Sequence, residues 1–252
     1  MTYRLIDLST YRLIDFNQLQ MVKPQHIFFD LDNTLWDFDK SSIMAFDKIY
    51  DIFNLINYGI PSASHFHHTY FEHNNRLWEL YRQGKIDKEF LKTERFRLPL
   101  KDYGIVDEKL AIDLGESYTD YAARLVALVP NTLEVLNYLK EKNYKIHLIT
   151  NGFLEVQSIK MQASGLDKLI DKSFVSEVVG FKKPDQRIFH HAMKDVGATI
   201  EECVMIGDDL SVDIIPAKEI GMTHIYFNRK KISHNEKLDY EIYDLIEITD
   251  II

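Results

Sequence analysis

The chain of 252 residues carries 39 acidic and 30 basic residues, for a net charge of −9, and a single cysteine. That length suits one domain plus an inserted module and is enough to bury a substantial core. The acidic balance argues against general binding of nucleic acid polymers or anionic membranes, and one cysteine allows no intrachain disulfide, which makes a reducing cytoplasm the expected setting.

Residues 1–20 hold a duplication, Thr2-Tyr3-Arg4-Leu5-Ile6-Asp7 recurring as Thr10-Tyr11-Arg12-Leu13-Ile14-Asp15. Charges interrupt every hydrophobic run there, so the segment has no signal-peptide core, and two copies are too few for a stacked repeat. It reads as an N-terminal extension, with the working domain starting near Met21. Ile27-Phe28-Phe29 then runs into Asp30-Leu31-Asp32. An apolar run without alternation predicts a strand buried on both faces, as in a parallel sheet. Open α/β sheets bind ligands at the carboxyl ends of such strands. Two acids there repel unless a cation lies between them or one keeps a proton, an arrangement that phosphoryl transfer needs.

After Asp32 the pattern turns helical. Ile43, Phe46, Ile49, Tyr50 and Phe53 recur at spacings of three and four, and Gly59-Ile60-Pro61-Ser62 breaks the run. Tyr70, Asn74, Leu77 and Tyr81 share a second helical face, and further helical runs cover 88–103 and 108–128. No strand pattern interrupts residues 40–128, which read as an all-helical insert hinged near 37–40 and 128–131. From Pro130 onward helices at 132–142, 153–164, 186–196 and 214–220 alternate with strands at 145–150, 173–176, 203–207 and 224–227. Alternation of this kind predicts a doubly wound parallel sheet built from residues 21–39 and 129–252. Asp30, Thr150, Lys183 and Asp208 then fall at or beyond strand ends on one edge. Cys203 sits within an apolar strand and reads as a small core residue.

Four stretches occur in an informative order: Asp30-Leu31-Asp32-Asn33-Thr34-Leu35, then Leu148-Ile149-Thr150-Asn151-Gly152, then Gly180-Phe181-Lys182-Lys183-Pro184-Asp185, then Ile206-Gly207-Asp208-Asp209 through Asp213. Together they resemble the haloacid dehalogenase superfamily of aspartate-nucleophile phosphohydrolases over residues 24–230. The resemblance implies that Asp30 is the nucleophile and a metal ligand. It implies that Asp32 is the general acid and base, its backbone carbonyl on the metal, and that Asp208 completes a magnesium site. Thr150 and Asn151 would bind the phosphoryl group and Lys183 would offset its charge, the proline after Lys183 singling it out from Lys182 and opening the next helix. Asp213 is expected in support, orienting water or Lys183, and Asp209 remains an alternative ligand to Asp208. An acid at Asp32 separates phosphatases from dehalogenases, because halide leaves without a proton. The insert is similar to the family's helical cap.

Within the insert, Asn74-Asn75-Arg76-Leu77-Trp78-Glu79-Leu80-Tyr81 and Arg95-Phe96 resemble the pyrimidine 5′-nucleotidase branch, the YjjG-like group. The resemblance implies a nucleoside monophosphate as the small-molecule partner. Trp78 and Tyr81 offer aromatic surface to a base or pack between helices, while Arg95 binds substrate or pairs with a cap carboxylate. The alternatives are a sugar-phosphate or phosphoglycolate phosphatase and, from another class, a phosphometabolite-binding protein without turnover. His65, His67 and His68 lack a carboxylate or cysteine at ligand spacing and read as a solvated helix face. The basic run 229–231 reads as a loop flank.

Overall fold

Six strands, β1 (His26–Phe29), β2 (Lys145–Thr150), β3 (Lys172–Val175), β4 (Cys203–Gly207), β5 (Thr223–Phe227) and β6 (Tyr240–Ile242), pair in parallel in the order β3-β2-β1-β4-β5-β6. This is a computed structural model, and it describes residues 24–252; the duplicated segment at 1–20 lies outside the described residues. β1 is flanked by β2 and β4, with Phe29 level with Leu148 on one side and Ile206 on the other. The chain runs outward from β1 to β2 and β3, then returns to lay β4 on the opposite flank. That reversal opens a crevice at the carboxyl ends of the central strands.

Between β1 and the rest of the sheet the chain forms four helices, α1 (Phe38–Ile52), α2 (Ala63–Arg82), α3 (Lys88–Asp102) and α4 (Glu108–Arg124). Asp37, Ser62, Asp87 and Asp107 each accept a backbone N–H in the first turn of these helices, which satisfies donors that the helix itself cannot. The four close around their own core, in which Phe46, Phe66, Tyr70, Phe96 and Tyr118 pack with Leu114. The two chain segments that join them to the sheet run side by side. Asp37 N–H donates to Ala127 O at 2.8 Å and Val129 N–H to Leu35 O at 3.0 Å.

The remaining helices, α5 (Thr132–Glu141), α6 (Leu154–Ser164), α7 (Ser176–Val179), α8 (Gln186–Val196), α9 (Ile215–Glu219) and α10 (Ile248–Ile251), cover the sheet. Alternation along β1 divides the core between two faces. Ile27 and Phe29 join Val135, Leu136, Leu139 and Ile248, while Phe28 joins Ile188, Phe189 and Ala217.

The backbone departs from the sequence pattern in three places. The pattern contains no signal for β6, whose three residues bury only Ile242. The helix expected over 214–220 is preceded by a π-helical turn, Leu210–Ile214, whose N-cap Asp209 accepts N–H bonds from Ser211 and Val212. Pro184 does not open α8: it follows a cis peptide bond from Lys183, and the next residue, Asp185, caps the helix that starts at Gln186. The three cap histidines point to separate partners. His65 meets Ser62, His67 meets Ser42 and the Phe46 and Phe71 rings, and His68 meets Glu72. His67 is thus packed among aromatic rings, where the expectation was a solvated face. Cys203 is buried and donates its S–H to Thr199 O, burial pushing the thiol up to about 12.

Candidate active site

Asp30 follows β1 directly, and its N–H continues the ladder to Ile206 O at 2.9 Å. One carboxylate oxygen from each of Asp30, Asp208 and Asp213 lies within 4.8 Å of the others. Lys183 Nζ enters this group, donating to Asp30 Oδ1 and Asp213 Oδ1, both at 2.6 Å, with the lysine 1% exposed. Two buried acids and the half-buried Asp208 beside one cation leave uncompensated negative charge. Burial first, then the charges of Asp213 and Asp32, push the Asp30 carboxyl up to about 7 against the pull of Lys183. Burial and the neighbouring Asp30 hold Asp208 well above the usual carboxylate range. Burial opposes the Lys183 charge, but Asp213 and Asp30 outweigh it and raise that group. Hard oxygen donors with surplus negative charge suit a divalent cation.

The support of this cluster is local and tight. Gly207 is needed because a Cβ there would sit 2.4 Å from Asp213 Oδ2. Thr34 is fully buried, donates to Asp208 Oδ1 at 3.4 Å and accepts the Asp208 N–H at 3.1 Å. Asn151 brackets the Lys183 backbone, donating to its carbonyl at 2.8 Å and accepting its N–H at 2.9 Å. That side chain therefore holds the lysine loop, which leaves the Asn151 backbone N–H as its donor for a ligand. Asp209 faces its own helix turn as N-cap, and Asp213 takes its place in the acidic group.

Two residues without a sequence motif complete the geometry. Gln157 and Lys160 lie one turn apart on α6, each 3% exposed, and both reach Asp32. Lys160 Nζ pairs with Asp32 Oδ1, and Gln157 Nε2 donates to Asp32 Oδ2 at 2.9 Å and to Thr150 Oγ1 at 2.8 Å. The Gly152 N–H also donates to Thr150 Oγ1, at 3.1 Å. A hydroxyl accepts two hydrogen bonds and donates one. With both acceptor positions filled, Thr150 can only donate outward. Gly152 permits this approach, since a Cβ there would lie 1.9 Å from Gln157 Nε2. The only sequence hint was the i, i+3 placement of two polar residues on a helix with an otherwise buried face.

A cavity of about 440 Å³ joins the sheet edge to the helical insert. Asp30, Asp32, Thr150, Asn151, Lys183, Asp208 and Asp213 line it from the core, and Trp78 and Arg95 line it from the insert. The insert closes onto the core through Phe153, on which Trp78 stacks at 5.1 Å and Tyr81 packs edge-on at 5.7 Å. Lys88 bridges Glu155 and Glu177, and Lys92 pairs with Glu155. Tyr81 is not among the cavity residues: the Lys182 ammonium lies over its ring at 4.3 Å. Arg95 pairs with no carboxylate among the described residues; the neighbouring Glu94 binds Arg97 at 2.7 Å.

An acidic cluster with one buried lysine, at the reversal point of a parallel sheet and facing a helical insert, defines a hydrolase built for phosphoryl groups. The family model of haloacid dehalogenase-like hydrolases matches residues 24–221, and the chain belongs to that family. A pyrimidine 5′-nucleotidase, PynA, of Streptococcus pneumoniae is 27% identical over 227 residues, covering 89% of this chain and 93% of the relative. A glyceraldehyde 3-phosphate phosphatase of Methanothermobacter thermautotrophicus is 29% identical over 225 residues, with 86% and 94% covered. The magnesium-bound structure of the HAD-hydrolase YfnB from Bacillus subtilis superposes with a TM-score of 0.80 at 25% identity, covering 91% of this chain and 98% of that one.

Proposed function

We propose that this protein hydrolyses phosphate monoesters through an aspartyl-phosphate on Asp30, and that its substrates are pyrimidine nucleoside monophosphates. The observation that carries the chemistry is the ion pair of Lys183 with both Asp30 and Asp213 inside the acidic group. Asp30 and Asp208 would hold magnesium through their carboxylates and Asp32 through its backbone carbonyl. Bound there, the metal supplies positive charge that lets an anionic nucleophile approach a phosphate dianion.

In the first step an Asp30 oxygen bonds to phosphorus while the bond to the leaving oxygen breaks, and Asp32 gives that oxygen its proton. In the second, Asp32 takes a proton from water as the water oxygen attacks phosphorus, freeing Asp30 and inorganic phosphate. Lys183, the Thr150 hydroxyl and the Asn151 N–H offset charge on the phosphoryl oxygens. Asp213 keeps Lys183 in place. Residues 40–128 act as a cap over the core of 21–39 and 129–252. The core sees only phosphate, so the cap selects the leaving group, through Trp78 and Arg95. The nucleotidase reading draws on the similarity to the pneumococcal enzyme and on an insert that brings an indole and a guanidinium to one cavity. No helix among the described residues is long and apolar enough to cross a membrane, and we place the activity in the cytoplasm.

Magnesium-dependent release of phosphate from phenyl phosphate tests the chemistry, and a panel of nucleoside monophosphates, sugar phosphates and phosphoglycolate tests the substrate. Absence of turnover in the first assay would leave a binding protein. A preference for a sugar phosphate in the second would overturn the nucleotidase assignment.

A further inference from the structure

Arg95 is 6% exposed; its Nη2 donates to Thr119 Oγ1 at 2.6 Å, and the guanidinium also reaches the Tyr70 hydroxyl. Its Nε is shut off from solvent and has no hydrogen-bond partner among the described residues. A guanidinium stays charged at any pH at which the protein is folded, and an enclosed charge without a counter-ion is strongly unfavourable. The Tyr118 and Phe96 rings, 5.5 and 5.9 Å from the guanidinium carbon, offset that only weakly. Asn74, also buried and lining the cavity, accepts from the Tyr70 hydroxyl at 3.1 Å through Oδ1. Its amide nitrogen, a donor, is what remains for the cavity.

The insert therefore offers hydrogen-bond donors: none of its cavity-lining residues is acidic, and of its two lining arginines Arg82 is already paired with Glu79. The core side of the same cavity already carries Asp30, Asp32, Asp208, Asp209 and Asp213 against Lys160 and Lys183. A second anionic group on the substrate would add to that negative charge, whereas a neutral carbonyl would satisfy Arg95 without doing so. We propose that Arg95, with Asn74 beside it, receives a keto oxygen of the substrate's pyrimidine base and so reads the leaving group. This rests on the nucleotidase reading and names the residue through which that selection acts.

The test compares wild type, Arg95→Met and Arg95→Lys in magnesium on four substrates: uridine 5′-monophosphate, ribose 5-phosphate, ribulose 1,5-bisphosphate and phenyl phosphate. Hydrogen bonds from a charged donor are worth about ten- to a hundredfold in binding. Both variants should lose that much kcat/KM on uridine monophosphate, mainly through KM, and several-fold less on phenyl phosphate and ribose 5-phosphate. The methionine variant keeps the packing stem and removes a buried unpaired charge, so its melting temperature should hold or rise. Should that variant fail to fold, the lysine variant, which keeps the charge but not the fork, carries the comparison. A uniform loss on all substrates, a fall in melting temperature with such a loss, or no change overturns the proposal. A loss confined to the bisphosphate overturns the keto assignment. A wild type that handles ribose 5-phosphate as well as uridine monophosphate overturns the nucleotidase reading itself. A wild type that prefers the nucleotide, with variants that keep the preference, overturns Arg95 alone.

Discussion

Gln157 spends both amide protons on the site, one on Asp32 Oδ2 and one on Thr150 Oγ1, so its replacement should damage the general acid and the phosphate donor together. Gln157→Leu removes both bonds but leaves Asp32 with Lys160 and lets the Thr150 hydroxyl rotate. A bond to a charged acceptor contributes about 1.5–3 kcal/mol and a neutral one about 0.5–1.5 kcal/mol. Because Lys160 retains Asp32, we expect only part of that sum, a fall in kcat/KM of about 30- to 100-fold. Gln157→Glu is close in shape and worse in chemistry. The introduced carboxylate repels Asp32 and accepts the Thr150 proton, turning the hydroxyl away from the phosphoryl group. Removing one preorganised donor from a transition state costs about 10²–10³ in kcat, so this variant should lie at least tenfold below Gln157→Leu. The assay is steady-state turnover of phenyl phosphate with inorganic phosphate inhibition, on variants whose melting temperatures show that they are folded. Gln157→Glu within threefold of wild type, or the leucine variant as the worse of the two, would refute the hydroxyl-polarity argument.

Three further outcomes are expected. Asp32→Asn should slow alkyl phosphates more than aryl phosphates, whose leaving groups need less protonation; equal losses would remove Asp32 from the acid role. Gly207→Ala places a methyl 2.4 Å from Asp213 Oδ2 and should lower stability by about 1–3 kcal/mol while reducing kcat at least tenfold by shifting Asp213 off Lys183; an unchanged kcat would show that Asp213 does not position the lysine. His147, packed against Phe28 and 3.0 Å from His26, has its pKa lowered from 6.5 to about 4, first by burial and then by His26. The unfolded chain binds this proton more readily than the folded one, so the stability is complete above about pH 6.5 and is lost as pH falls towards 4. The change is up to roughly 3 kcal/mol. Denaturant unfolding of His147→Phe at pH 7 and pH 4 should show the pH dependence reduced by that amount, and an undiminished dependence would place its source elsewhere.

The sheet and the acids at its edge were legible because their signals are local. Ile27-Phe28-Phe29 is apolar without alternation and becomes a strand buried on both faces, and the four helices of the insert carry their spacing and their capping residues in the chain itself. Asp30, Lys183 and Asp208 belong to short motifs whose order matches one family. What lay beyond reach is long-range. Gln157 and Lys160 meet Asp32 across 125 and 128 residues of chain, and nothing in a helix pattern says which polar residue will face a neighbour's carboxylate. β6 has too few buried positions to register as a strand, and it forms because β5 offers an open edge. Tyr81 and Arg95 read alike from sequence, as cap residues of suitable chemistry. Packing of Phe153 against the insert engaged Tyr81 with its neighbours, and with Glu94 paired to Arg97, Arg95 faces the cavity without a counter-ion among the described residues. Periodicity and motif order follow from each residue's own preferences and so can be read in the chain. Which buried charge finds a partner depends on how distant segments close on one another, and only the folded structure decides that.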